Sequence, residues 1–138
     1  MTAIASVQVT SGNGYAQTIQ AGAHALTADE PAANGGADSG PAPYALLLAA
    51  LGACTSITLQ MYARRKGWTL GQVQVTLRMF KGKDGEGDRI ERLVAFGAPL
   101  SDEQRARLAE ICEKTPVTKT IKTGTPIATQ LQAETQSG

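Results

Sequence analysis

The feature that most constrains this chain is a long apolar segment near its middle, residues 43–67, which predicts a single central helix. Pro43 suits the first turn of a helix, and Gly67 can cap its C-terminus. The basic residues at 64–66 complement the negative end of the helix dipole. Residues 45–54 are apolar on every side, and a soluble helix without a polar face is buried on all sides. We therefore expect this helix to lie at the centre of the fold.

The segment before the helix, residues 1–30, predicts a small antiparallel β-meander. Weak apolar alternation around Val7 and Val9 leads into a turn signal at 11–14, and two further short segments follow. Residues 30–43 are rich in Gly, Ala, Pro and Asp and therefore indicate a long loop. Loops of this length are often functional, and a mobile connector is the equally weighted alternative.

The segment after the helix, residues 69–131, begins with a predicted β-hairpin. Residues 69–80 alternate cleanly between apolar and polar side chains, as a half-buried strand does. Residues 88–97 return as a second strand after a glycine-rich turn.

A second helix and short strands are predicted to complete the chain. Ser101 and Gln104 form a capping box, which marks a helix start. Residues 117–121 and 126–131 are strand candidates, and the polar tail from Gln132 is expected to fray. The inner stripe of the second helix, at helical spacing, consists of Leu108, Ile111, Cys112 and Thr115.

Composition narrows the class of protein. A length of 138 residues fits a single domain, and a net charge of +1 gives no reason to expect a nucleic-acid or membrane partner. The longest apolar run, residues 45–53, is too short to span a bilayer, and no signal peptide is evident, so the cytoplasm is the expected compartment. Because only 18% of the residues are charged, we expect a dimer to hide surplus apolar surface.

The charges are distributed unevenly along the chain. No lysine or arginine precedes Arg64. A cation needed in the first half must therefore come from the second half or from another subunit.

The two cysteines, Cys54 and Cys112, are the candidate reactive groups. Both lie on predicted inward helix faces, where buried apolar filler is the commoner role of a cysteine. Two buried thiols on packed helices could also cycle between dithiol and disulfide, provided that their Cα atoms come within roughly 7 Å. One histidine, His24, and two cysteines cannot furnish an ordinary zinc site, so no metal or other cofactor is expected.

The sequence GPAPYALLLAALGACTSITLQMYARRKGW at residues 40–68 resembles the central helix of the OsmC/Ohr family (osmotically induced protein C and organic hydroperoxide resistance proteins). Residues 27–31, 99–111 and 115–120 match the same family in order and spacing. The resemblance covers nearly the whole chain and is strongest for the short OsmC-like subgroup.

The resemblance implies an α+β fold in which antiparallel sheets wrap long buried central helices in an intertwined homodimer. It also implies a thiol-dependent peroxidase that reduces organic hydroperoxides or hydrogen peroxide in oxidative-stress defence. Cys54 matches the cysteine that attacks the peroxide and becomes a sulfenic acid. A second, resolving cysteine then forms a disulfide, which an external dithiol reduces.

The chain departs from the family pattern in three places. Thr115 stands where the resolving cysteine is usual, so Cys112, three residues earlier, is the candidate substitute. Tyr44 and Ala45 stand where active members carry a glutamate. The family's N-terminal arginine is also missing.

That arginine matters because a cysteine reacts as thiolate, which a nearby cation stabilises. Lys119 or an arginine of the partner could supply the charge. Leu51, Thr58 and Met61 share the helical face of Cys54 and are tentative substrate contacts, although core packing explains them equally well.

Three functions are compatible with these residues. The preferred one is a peroxidase with Cys54 as nucleophile and Cys112 as resolving thiol. The first alternative is a catalytically impaired family member that binds a small apolar ligand at the dimer interface. The second is a structural or regulatory dimer in which both cysteines are filler.

Overall fold

The computed structural model describes residues 1–133 and has the expected α+β architecture. It contains two antiparallel sheets, one long α-helix and two shorter α-helices. The expected fraying of the tail falls partly on residues 134–138, which lie outside the described residues. The elements in chain order are β1 Gln8–Ser11, β2 Gln17–Ala21, β3 His24–Ala28, α1 Pro43–Lys66, β4 Val73–Phe80, β5 Arg89–Phe96, α2 Asp102–Cys112 and α3 Pro116–Thr123.

The N-terminal meander is a three-stranded sheet in the order β1-β2-β3, as predicted. Its strands pair antiparallel, with Val9 opposite Ile19 and Ile19 opposite Leu26. Val9 and Leu26 are both exposed, and every residue of β1 is exposed. The rest of the chain therefore leaves much of this sheet uncovered.

The central helix begins and ends where the sequence predicts. Pro43 occupies its first turn, and Gly67 ends it with a φ of 72°. The N–H of Gly67 donates to the carbonyls of Ala63 and Arg64. Glycine is favoured at such a left-handed position because it has no Cβ.

The prediction that α1 is buried on all sides is wrong for the single chain. The elements packed on α1 cover only one face, so Ile57 and Met61 stay 54% and 60% exposed. Tyr44 and Leu47 in the first turns are exposed as well. The buried residues of the helix are Leu51, Gly52, Thr55, Leu59, Tyr62 and Ala63.

The hairpin β4–β5 packs on the covered face of α1. Gly52 permits this close approach, because a Cβ there would lie 2.9 Å from Cδ1 of Leu77. The core beyond it is a cluster formed by Leu59, Tyr62, Ala63, Leu70, Leu108 and Cys112.

The helix α2 begins with the predicted capping box. The side chain of Ser101 accepts the N–H of Gln104, and the Gln104 side chain accepts the N–H of Ser101. Leu108 and Cys112 face the core, and Ile111 packs against it.

The prediction of short C-terminal strands is wrong. Residues 117–121 belong to the helix α3, and residues 126–131 form no strand. β-branched residues suggested a strand, but Pro116 starts a helix whose Val117, Thr118 and Ile121 face inward at helical spacing.

By length and composition alone, α1 could cross a membrane. The core helix of a soluble protein meets the same criterion, so this property is weak support for a membrane location. The middle of α1 contacts the rest of the fold, since the hydroxyl of Thr55 accepts a hydrogen bond from an arginine of β5.

Candidate active site

Cys54 lies on a flank of α1 that the chain itself leaves partly open. Its side chain is half-buried, and its Sγ lies 4.0 Å from Oγ1 of Thr58, one helical turn further on. Leu47 and Met61, both exposed, lie on the same flank. Cys54 therefore occupies neither the sealed core nor the open surface.

Arg92 on β5 places a largely buried cation against this part of α1. Its side chain is 12% exposed. One terminal nitrogen donates to Oγ1 of Thr55 and to Oγ1 of Thr118, each at 2.9 Å. The other donates to the carbonyl of Cys112 at 3.0 Å and to the carboxylate of Glu113 at 3.2 Å. The guanidinium thus joins the residue next to Cys54 to the ends of α2 and α3.

Sequence reasoning missed Arg92, although a signal for it exists. The side chains of β5 alternate, with Ile90, Val94 and Phe96 facing inward and Glu91 and Leu93 outward. Arg92 stands on the inward side of this alternation. An arginine on the apolar face of a strand must find buried partners, because an unpaired buried charge is very costly.

The position of the family's resolving cysteine is filled by a buried hydroxyl. Thr115 is 0% exposed, and its Oγ1 lies 2.5 Å from Oγ1 of Thr118. Thr118 in turn donates to the carbonyl of Cys112 at 3.3 Å. Arg92, Thr55, Thr115 and Thr118 together form a buried polar cluster, hereafter the Arg92 cluster.

Cys112 lies in the core, whereas Cys54 lies on the partly open flank of α1. Cys112 is a free thiol in the cluster that contains Leu59 and Leu108. At about 100° per residue, Leu59 and Cys54 point about 140° apart on α1. Burial raises the pKa of the Cys112 thiol, and the nearby charge of Arg92 opposes this only in part.

The other predicted site residues differ in burial and in their distance from Cys54. Leu51 is buried, and Thr58 contacts the sulfur of Cys54. Met61 is exposed on the same flank, whereas Lys119 is exposed on α3. Within residues 1–133, Lys119 makes no hydrogen bond or ion pair with Cys54 or Thr55, and the cation that binds Thr55 is Arg92.

Tyr44, at the family's glutamate position, belongs to a separate surface cluster. Nζ of Lys81 donates to its hydroxyl at 2.6 Å and pairs with Asp88 at 3.1 Å. These contacts raise the pKa of Lys81, with the Tyr44 hydrogen bond as the main cause.

A groove opens between the start of β5 and α3. Its volume is about 630 Å³, and Leu51 of α1 lines it. Glu113 stands at its edge, paired with both Arg92 and Lys122. These cations lower the pKa of Glu113, and the hydrogen bond from Lys122 is the main cause. The other lining residues are Asp88, Arg89, Ile90, Thr118 and Ile121.

The described residues, 1–133, contain no group of His, Cys, Asp and Glu side chains that could hold a metal ion. The chemistry available at the centre of the molecule is therefore that of a thiol beside hydroxyls and a guanidinium.

Similar structures share this architecture over nearly their whole length. An OsmC-like protein from Mycoplasma pneumoniae superposes with a TM-score of 0.76 at 20% identity, covering 88% of this chain and 89% of that one. The organic hydroperoxide resistance protein OsmC from Legionella pneumophila gives 0.65 at 18% identity, with 88% and 92% covered. OhrB, the organic hydroperoxide resistance protein of Bacillus subtilis, gives 0.61 at 22% identity, with 86% and 90% covered. No protein with a curated description matches the sequence.

Fold and site together define a small α+β protein with a cysteine on its central helix. Residues 35–130, more than half of the chain, match the family model described as OsmC-like protein. The chain belongs to the OsmC family, as the resemblance of its central helix predicts.

Proposed function

We propose that this protein is a cysteine-dependent peroxidase that reduces hydroperoxides with Cys54 as the attacking thiol. The observation that carries the proposal is the position of Cys54 in a member of the OsmC family. The thiol lies half-buried on an open flank, next in sequence to a threonine that binds a buried guanidinium. Two proteins of the same fold are described as organic hydroperoxide resistance proteins, which supports a hydroperoxide as substrate.

The chemical step requires the Cys54 thiolate. Its sulfur attacks the terminal peroxide oxygen, so that an S–O bond forms as the O–O bond breaks. The electron pair leaves on the other oxygen, which takes a proton and departs as an alcohol, or as water from hydrogen peroxide. The sulfur is oxidised by two electrons to a sulfenic acid, and an external thiol must return it to the thiol.

Arg92 provides the positive charge that the first half of the chain lacks. Because its side chain is mostly shielded from water, its field acts on neighbouring groups with less screening than that of a surface cation. Its hydrogen bond to Thr55 fixes the charge beside the helical turn that carries Cys54.

We also propose that the active form is a cytoplasmic homodimer. The exposed side chains of Ile57, Met61 and Leu47 leave an apolar strip on α1, and the N-terminal sheet is exposed at β1. A second copy that covered this strip would enclose the flank of Cys54 and exclude bulk water from it.

Replacement of Cys54 tests the peroxidase directly. In Cys54→Ser we expect peroxide consumption to fall to the uncatalysed rate, because the sulfur that is oxidised is gone. The readout is peroxide loss in the presence of excess thiol, together with mass-spectrometric detection of the sulfenic acid by a 1,3-diketone probe.

Cys112→Ser is the matched control. Because Cys112 packs in the core cluster and Cys54 lies on the open flank, we expect this variant to form the sulfenic acid and to consume peroxide as the parent does. The predicted resolving role of Cys112 would instead require sulfenic acid to accumulate in it. If the parent protein forms no sulfenic acid at Cys54, the peroxidase proposal is lost and apolar ligand binding becomes the leading function.

A further inference from the structure

We propose that the groove between β5 and α3 binds the carboxylate of a small anionic thiol, which resolves the Cys54 sulfenic acid in place of a second cysteine. This inference rests on the proposed function. It names the class of co-reactant and the site that it occupies.

The need for an external thiol follows from the surroundings of Cys54. Thr115 fills the position of the family's resolving cysteine with a buried hydroxyl that cannot form a disulfide. Cys112 is held in the core through its side chain, and its carbonyl accepts from Arg92 and Thr118. Moving Cys112 to Cys54 would require these contacts to break.

The groove borders α1 one helical turn before Cys54. Leu51, which lines it, stands three residues before Cys54, and side chains at this spacing are about 5–6 Å apart at Cβ. Thr55, bound to the Arg92 of the groove, is the next residue after Cys54. A thiol whose carboxylate binds in the groove would therefore carry its own sulfur towards the turn of α1 that holds Cys54.

The charges of the groove favour an anion. Arg89, Arg92 and Lys122 line it, against Asp88 and Glu113. Asp88 is engaged outside the groove by Lys81 and by the N–H of Gly82. Glu113 pairs with both Arg92 and Lys122, and so occupies the position that an incoming carboxylate would take.

The exchange balances in two steps. The thiol sulfur attacks the sulfur of the Cys54 sulfenic acid, an S–S bond forms as the S–O bond breaks, and the oxygen leaves as water. A second thiol, from another molecule or from the same one if it is a dithiol, then attacks the thiol-derived sulfur of the mixed disulfide. Cys54 is released as thiolate, and the reductant leaves as a disulfide.

The probes are 3-mercaptopropionate and its neutral amide, 3-mercaptopropionamide. Cys54 is first converted to the sulfenic acid with one equivalent of hydroperoxide, and its formation is verified by mass. Each thiol is then added, and the rate at which the mixed disulfide appears is measured. This rate is divided by the rate at which the same thiol reacts with an uncharged reference disulfide. This ratio removes differences in intrinsic reactivity.

Two variants that break the same ion pair separate docking from structure. Glu113→Gln and Lys122→Gln both remove the Glu113–Lys122 pair. For the anionic thiol we expect Glu113→Gln to raise the normalised rate and Lys122→Gln to lower it, each by about fivefold at low salt. The neutral amide should show neither change, and Lys114→Gln, which removes an exposed charge outside the groove, should leave both rates unaltered.

Opposite changes in the two variants, confined to the anionic thiol, support the groove. Equal normalised rates for the two thiols, or changes of the same sign in both variants, overturn it while leaving the peroxidase intact. A disulfide between Cys54 and Cys112 that forms before any thiol is added also overturns it. Failure to form the sulfenic acid in the first step is a failure of the proposed function itself.

Discussion

The guanidinium of Arg92 touches α1, the end of α2 and α3 at once, yet its partners do not depend on it alone. The hydroxyl of Thr55 also donates to the carbonyl of Leu51 at 2.7 Å. The hydroxyl of Thr118 is also hydrogen-bonded to the hydroxyl of Thr115, and the carbonyl of Cys112 also accepts a hydrogen bond from Thr118. Loss of Arg92 therefore removes a charge without leaving these groups unpaired.

This redundancy separates the effect of Arg92 on stability from its effect on reactivity. We expect Arg92→Met to lower the free energy of unfolding by only about 1–3 kcal/mol, the range for lost hydrogen bonds. We expect alkylation of Cys54 by iodoacetamide at neutral pH to slow by about tenfold, because the nearby positive charge is gone.

Arg92→Lys retains the charge and is the matched control. Its alkylation rate should lie between those of the parent and Arg92→Met. A change in stability with an unaltered alkylation rate would make Arg92 a purely structural residue.

Single residues also show how much of the candidate site could be predicted from the sequence. Cys54 could be chosen because the Leu-Gly-Ala-Cys motif of its helix is specific. Arg92 could not be chosen as its neighbour, because 37 residues separate it from Thr55 and only the docking of β5 on α1 brings them together. Lys119, two residues from the Pro-Val signature, was one of two sources of charge that the sequence suggested, the other being an arginine of the partner, and it is exposed in the single chain.

At the scale of elements, the loop between β3 and α1 is ordered by the side chain of Asp29. One carboxylate oxygen accepts the N–H of Ala37 and both the N–H and the hydroxyl of Ser39, and the other accepts the N–H of Glu30. These bonds lower the pKa of Asp29, and the hydroxyl of Ser39 is the main cause. The loop predicted at 30–43 is thus tied back to its own start.

This arrangement predicts a pH-dependent contribution to stability. Because the pKa of Asp29 is lower in the folded state, the contribution is present above the unfolded-state pKa, near 4, and is lost as the pH falls through the folded-state value. In Asp29→Asn we expect a lower Tm at pH 6 and convergence with the parent at the most acidic pH. Thermal unfolding of both proteins from pH 6 to pH 2.5 measures this, and a Tm difference that is constant with pH would refute it.

The helices α2 and α3 show what local sequence patterns can and cannot predict. The capping box of α2 was predictable because Ser101 and Gln104 act within one turn. The helix α3 was not, because its β-branched residues favour strands and its helical form depends on Pro116 and on inward packing of Thr118. Local propensity decided the first element, and tertiary packing decided the second.

At the scale of the whole molecule, the apolar strip of α1 and the exposed strand β1 are the surfaces that the proposed homodimer would cover. A helix that is apolar all round needs cover on every side. Among the described residues, the main cover of α1 comes from β4, α2 and α3. Ile57 is 54% exposed on the strip and is the residue at which the remaining cover can be tested.

We expect Ile57→Glu to convert the dimer to monomer. Burial of an isoleucine side chain contributes about 1.5–3 kcal/mol, and a two-fold interface counts the change twice, so the dissociation constant should rise by about two to four orders of magnitude. Sedimentation velocity across a range of protein concentrations measures this shift. The control is Leu93→Glu, whose site on β5 is exposed and points away from α1. If the parent sediments as a monomer at every concentration, the second copy is excluded, and the strip on α1 must be covered by another partner.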